Sequence, residues 1–219
     1  MTLRLTSIEV YDYLGSTMDT PPPSIPGATI AITQSRGRGR TGAWQSPPGG
    51  AWLTFHTADP PPPGLSVAVG GCLAAELEKL TGQRLQVKWP NDVLAPNGGK
   101  LAGILVEVRG GLTRIGIGVN VYNPVPPGAA RLADLGYTGS LGQVAAAALE
   151  ATLHALGEAR SCIREAAARD ALLGRIVAVE TPRGVLEGRG AGITLSGALL
   201  LETRSGVAQV TCCHVLRWR

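Results

Sequence analysis

The 219-residue chain carries 44% apolar and 16% charged residues with a formal net charge of +4, enough to bury a sizeable core in one full domain plus a small appendage. No run approaches the ~18 apolar residues of a membrane span, and the opening MTLRLTSIEVYDYL lacks a signal peptide's basic head and apolar stretch, so the expected place is the cytoplasm, with no membrane partner. The arginines are spread along the chain, so charge alone does not argue for nucleic acid.

Residues 5–14 read as a strand, after which Ser16 and Thr17 can cap only a short helical piece, because Pro21, Pro22 and Pro23 stop it. The β-branched stretch 27–33 is a second strand that delivers Gln34 into the loop SRGRGRTG. A third strand at 51–56 is followed by the stiff Pro60–Pro63 spacer. Apolar residues at Leu65, Val69, Cys72, Leu73, Leu77 and Leu80 then have the spacing of an amphipathic helix. Three strands follow at 85–89, 100–108 and 112–120, joined by PNGG and Gly110-Gly111 turns as in an antiparallel sheet. The alanine-rich stretch 141–169 is helical by propensity. Beyond residue 173, five short glycine-broken strands indicate a small SH3-type barrel. The expected class is α+β: a mixed, largely antiparallel sheet flanked by helices, with domains at 1–171 and 172–219.

The four cysteines, Cys72, Cys162, Cys212 and Cys213, fit neither CxxC spacing nor a secreted framework and read as structural thiols. Adjacent Cys212, Cys213 and His214 would alternate across a strand without a fourth ligand, so no metal site is expected.

Three stretches carry chemistry. Gly37-Arg38-Gly39-Arg40 alternates close-approach residues with guanidinium forks, suited to an anion, although such a run also occurs in RNA-binding segments and in solvated loops. Lys88-Trp89-Pro90-Asn91-Asp92 brings a lysine and an indole into a proline turn ending in an amide and a carboxylate, with packing the expected role of Trp89. Gly98-Gly99-Lys100-Leu101-Ala102-Gly103-Ile104-Leu105-Val106-Glu107 sets a lysine at the start of a strand interrupted by glycine. Strand alternation puts Lys100, Ala102, Ile104 and Val106 on one face, where an ammonium beside apolar surface can meet a ligand carboxylate or phosphate. Gly103, Gly116 and Gly118 leave room for a ligand against the sheet, or mark bulges. Asn120 closes the last strand, where it can end a turn or bond a nucleotide.

The order and spacing of GRGR, KWPND, GGKLAGILVE and GIGVN resemble the biotin protein ligase family, in detail over residues 16–120, in its short form without an N-terminal DNA-binding domain. The resemblance implies a class II synthetase-like catalytic domain, an SH3-like C-terminal domain and no DNA partner. It implies formation of biotinyl-5′-AMP from biotin and ATP with Mg2+, then transfer to a lysine of a biotin carboxyl carrier domain. By it, Ser16, Thr17 and Gln34 bind the ureido ring, Gly37, Arg38, Gly39 and Arg40 close over the carboxylate, and Gly103, Gly116 and Gly118 form the floor. Lys100 touches both biotin and the α-phosphate. Arg38, Arg40, Trp44, Lys88, Asn91 and Asn120 join it on ATP, and Asp92 orients the acceptor lysine beside Lys100, Arg38 and Lys88. The covering segment 122–136 presents Ala129, Ala130 and Arg131 where some relatives place an aromatic. Exposed sheet edges are compatible with a homodimer. The competing readings are a lipoate protein ligase and a nucleic-acid-binding protein, the latter disfavoured because aromatics are scarce and not interleaved with the basic residues.

Overall fold

The structure, a computed structural model, describes residues 5–211 and 214–219. Its larger sheet holds β1 (Ser7–Leu14), β2 (Gly27–Gln34), β3 (Ala51–Thr57), β4 (Gln86–Lys88), β5 (Asp92–Leu94), β6 (Lys100–Arg109) and β7 (Leu112–Val119). The strand order is β1-β2-β3-β7-β6-β5-β4, parallel between β1 and β2 and antiparallel elsewhere. One face is packed by α1 (Leu65–Thr81), α2 (Leu141–Gly157) and α3 (Ala159–Ala167). Leu53 and Phe55 of β3, Leu101 and Ile104 of β6 and Leu73 and Leu77 of α1 share that core. The opposite face bears the polar side chains that build the site.

The C-terminal sheet comprises β8 (Ile176–Thr181), β9 (Gly184–Ile193), β10 (Leu199–Thr203), β11 (Gly206–Val210) and β12 (His214–Trp218), in the order β11-β10-β9-β8-β12. Register shifts at Leu200/Leu201 and Val215/Arg217 interrupt its ladders. It docks on the larger sheet where Trp89 Nε1 donates to Gly197 O at 2.9 Å and where a Cβ on Gly197 would lie 2.6 Å from Gly64 Cα. Both glycines sit at positive φ, so conformation and space each favour glycine there.

Four expectations are corrected. Residues 141–169 form two helices, not one: Glu158, at φ −133° and ψ 50°, turns the chain after Gly157 so that Cys162, Ile163 and Ala166 bury against α1. Cys72 and Cys162 are a disulfide rather than thiols, because that turn brings α3 against α1 at Gly71, where a Cβ would lie 2.2 Å from Cys162 O. Cys212 and Cys213 lie outside the described residues. The strand expected at 85–89 is cut to β4, ending before the cis Trp89-Pro90 bond, and the chain returns as β5. Finally, the β5–β6 ladder pairs Val93 with Ala102 but Leu94 with Lys100, so Leu101 is bulged. Simple alternation fails there: Ala102 and Ile104 enter the core, while Lys100 shares the opposite face with Gly103.

Candidate active site

Ser16 begins the polar face by capping a 3-10 turn, its hydroxyl accepting from Met18 N at 3.3 Å. Gln34, at the end of β2, accepts from Thr17 N at 2.7 Å and Thr17 Oγ1 at 3.1 Å, and its amide donates to Ser46 Oγ at 2.8 Å. Thr54 of β3 completes the chain by donating to Thr17 Oγ1 at 2.8 Å. The three predicted residues Ser16, Thr17 and Gln34 therefore converge at one end of a pocket.

The GRGR stretch is folded rather than open. Gly39 N donates to Gly42 O at 2.7 Å and Trp44 N to Gly37 O at 2.9 Å, making a narrow hairpin. A Cβ on Gly37 would lie 2.3 Å from Trp44 O, so close packing of two backbones explains that glycine. Arg38 turns to Asp19 at 3.1 Å and Glu107 at 2.6 Å, two acidic partners that motif reading missed, although Glu107 closes the GGKLAGILVE stretch. Arg40 faces the C-terminal sheet, 3.4 Å from His214 Nδ1.

The hairpin carries the Trp44 indole down onto the sheet. A Cβ on Gly118 would meet Trp44 Nε1 at 2.6 Å, one on Gly103 would meet the indole at 2.9 Å, and one on Gly116 would meet Met18 Sδ at 2.6 Å. In this structure Trp44 rests on Gly103 and Gly118, and Met18 on Gly116. Trp44 Nε1 is buried with no hydrogen-bond partner among the described residues, a costly arrangement for an indole. The cavity beside it, between Gln34 and Gly118, is only about 40 Å³.

Lys100 is pinned through its backbone. Its N donates to Gly128 O at 3.0 Å, and its carbonyl accepts from Ala130 N at 3.0 Å and Asn120 Nδ2 at 3.2 Å. Asn120 is in turn oriented by Asn123 Nδ2, which donates to its Oδ1 at 3.1 Å. The Lys100 ammonium lies 2.6 Å from Asp92 Oδ1 and 5.1 Å from the centre of the Trp44 ring. Asp92 also faces Lys88 at 4.0 Å. Burial pushes the Lys88 ammonium below the ordinary lysine value; Asp92 opposes this, and Lys100 and Arg40 add to it. Asn91 ties the motif to β6 by donating to Ile104 O at 3.2 Å.

Two larger cavities adjoin the small one. One of about 300 Å³ is lined by Arg40, Lys88, Asn91, Asp92 and, from the C-terminal sheet, His214 and Val215. The other, about 280 Å³, is lined by Gln45, Asn120, Asn123, Pro124, Pro126 and Ala129. Lys100 and Trp44 border all three.

Residues 8–121 match the family described as the Biotin/lipoate A/B protein ligase family, which is more than half of the chain. The chain belongs to the biotin/lipoate A/B protein ligase family. Residues 172–211 of this ligase match the biotin protein ligase C terminal domain. It is 35% identical to the biotin–[acetyl-CoA-carboxylase] ligase of Paracoccus denitrificans, over 88% of this chain and 92% of that protein. It is 28% identical to the bifunctional ligase/repressor BirA of Bacillus subtilis, over 91% of this chain and 70% of that one. In fold it resembles the biotin protein ligase from Aquifex aeolicus in complex with biotin and ATP, with a TM-score of 0.84 at 23% identity, covering 98% of this chain and 99% of that chain.

All the predicted residues of the ligase line or support these cavities, but not equally. Asn120 and Asn91 spend their amides on backbone carbonyls, and Arg38 is held by carboxylates. Thr54 and His214 were not singled out as site residues. The signal for Thr54 was a hydroxyl inside the apolar strand AWLTFHT. His214 had none beyond its cysteine neighbours, because its partner Arg40 is 174 residues away.

Proposed function

We propose that biotin, ATP and the carrier lysine meet at Lys100, and that the three cavities around it divide the reaction between them. The chain has biotin protein ligase activity, the activity of the family members that match it nearly end to end. The observation that carries the proposed division is that one ammonium borders a hydrogen-bonding pocket, a cationic pocket and a mostly apolar pocket at once.

In this reading Ser16, Thr17 and Gln34 receive the ureido ring, whose carbonyl needs donors and whose N–H groups need acceptors. Trp44 and Met18 lift from Gly103, Gly116 and Gly118 to admit the bicyclic ring. The indole leaves readily because its N–H has no acceptor to lose. The hairpin backbone at Gly37 and Gly39 then closes over the valeryl carboxylate. Adenine takes the cavity between Asn120 and Pro126, with Ala129 beside it and the Trp44 indole as the aromatic in its lining.

The biotin carboxylate oxygen attacks the α-phosphorus of ATP, the bond to the bridging oxygen breaks, and pyrophosphate departs. Anions must approach one another in that step, so Lys100, Arg40 and Lys88 offset the repulsion and the charge gathering on the phosphoryl oxygens. Arg38 joins them once ligand draws it from Asp19 and Glu107. Magnesium arrives with ATP, held chiefly by phosphate and water. The mixed anhydride is hydrolysable, and the folded hairpin shields it from water.

In the second step the neutral ε-amine of the acceptor attacks the acyl carbon and AMP leaves. Asp92, facing the cationic pocket between two lysines, orients the incoming amine. We assign residues 1–171 to catalysis and 172–219 to the C-terminal domain, and place the reaction in the cytoplasm with a biotin carboxyl carrier domain as acceptor. Biotin-dependent ATP–pyrophosphate exchange tests the first step: exchange that requires biotin supports the reading, and exchange indifferent to biotin overturns it.

A further inference from the structure

We propose that His214, carried by the C-terminal sheet, is a substrate-contacting residue of the adenylation step, binding with Arg40 and Lys88 the β- and γ-phosphates of ATP that leave as pyrophosphate. The inference rests on the reaction above and adds to it a residue from the second sheet.

The cationic cavity is lined by Arg40, Lys88 and Lys100 against a single carboxylate, Asp92, which already faces two of them. Three cations around one acid suit a polyanion. Burial and the neighbouring cations both disfavour the charged form of Lys88, and an anion in this cavity relieves that repulsion. Because the cavity shares Lys100 with the pockets assigned to the acid and the nucleoside, a chain of phosphates starting at Lys100 extends into it.

His214 opens β12, and its backbone pairs with Glu180 of β8. Its Nδ1 lies 3.4 Å from the Arg40 guanidinium, which has only donors. The imidazole therefore accepts at Nδ1, and the proton on Nε2 remains to donate to a phosphate oxygen. The wall that carries it is fixed by the Trp89 to Gly197 hydrogen bond and the Gly64–Gly197 approach. Trp89 thus joins the KWPND motif to the sheet that presents His214.

The test uses the full chain and three readouts: KM for ATP, KM for biotin, and inhibition by inorganic tripolyphosphate. For His214→Ala the expectation is a KM for ATP raised about 10-fold, the scale of one lost hydrogen bond to a charged group. Tripolyphosphate inhibition should weaken by a similar factor, with the KM for biotin and the transfer from preformed biotinyl-5′-AMP unchanged. His214→Gln, which can still accept from Arg40 and donate to phosphate, should recover most of the loss. Unchanged ATP and tripolyphosphate values for His214→Ala overturn the proposal, as does an equal loss toward biotin, the mark of general damage to the fold. If His214→Ala does not fold, His214→Phe in the same assays must show the ATP-selective loss, and its absence is equally fatal. A wild-type chain without biotin-dependent exchange defeats the functional reading instead, whereas tripolyphosphate binding followed by calorimetry still reports on His214 alone.

Discussion

Lys100 owes its position to backbone rather than to side-chain packing: the 120–130 segment holds both its N–H and its carbonyl, and Asp92 takes its ammonium. Removing that ammonium leaves the floor intact and deletes one donor at the point where charge develops. Lys100→Ala is therefore expected to cut biotin-dependent pyrophosphate release by ~10²-fold or more, with near-normal release refuting the assignment. His56 poses a different problem. It is fully buried opposite Arg114, and burial, then Arg114, lowers its pKa to about 4 against a smaller opposing pull from the Thr17 backbone. The unfolded chain takes up this proton near the ordinary value of about 6.5, so between the two values it holds more protons than the folded one. Stability should thus fall as pH drops from about 6.5 toward 4. His56→Phe should flatten that part of a Tm-against-pH curve; an unchanged slope would show that the ring titrates normally.

Elements were legible where a period was long and undisturbed. The α1 stripe, the β2 and β3 strands and the C-terminal meander follow directly from hydrophobic spacing, and the four motifs marked their own convergence. What escaped is local or distant. A one-residue bulge at Leu101 reverses the face of Lys100, and no periodicity argument sees a bulge. A glycine at 157 does not announce that the helix will turn there, since single glycines are tolerated inside helices. The disulfide required knowing that α3 lies on α1. That contact yields its own prediction: Gly71→Ala puts a methyl 2.2 Å from Cys162 O, and should destabilise by roughly 1–3 kcal/mol. Denaturant unfolding would measure it, and a change within error would mean the helices shift apart freely.

For the molecule as a whole, two cross-links act at long range. The Cys72–Cys162 disulfide spans 90 residues and encloses β4 to β7 and α2. Closing a loop of that size stabilises by ~4–5 kcal/mol if chain entropy dominates. Dithiol reductant should accordingly lower Tm, and the Cys162→Ser variant should already be lowered and insensitive to reductant; equal Tm values with and without reductant for the wild type would count against it. The second cross-link is Trp89, buried between the sheets with its N–H on Gly197 O. It ties the C-terminal sheet to the catalytic face, and residues of both line the cationic cavity. The most direct measurement of the central claim is the mass of a biotin carboxyl carrier domain after incubation with the chain and MgATP, with biotin or lipoate as the acid. One biotinyl group on one lysine, dependent on ATP and absent with Lys100→Ala, is the predicted result. Lipoyl transfer without biotinyl transfer would contradict it.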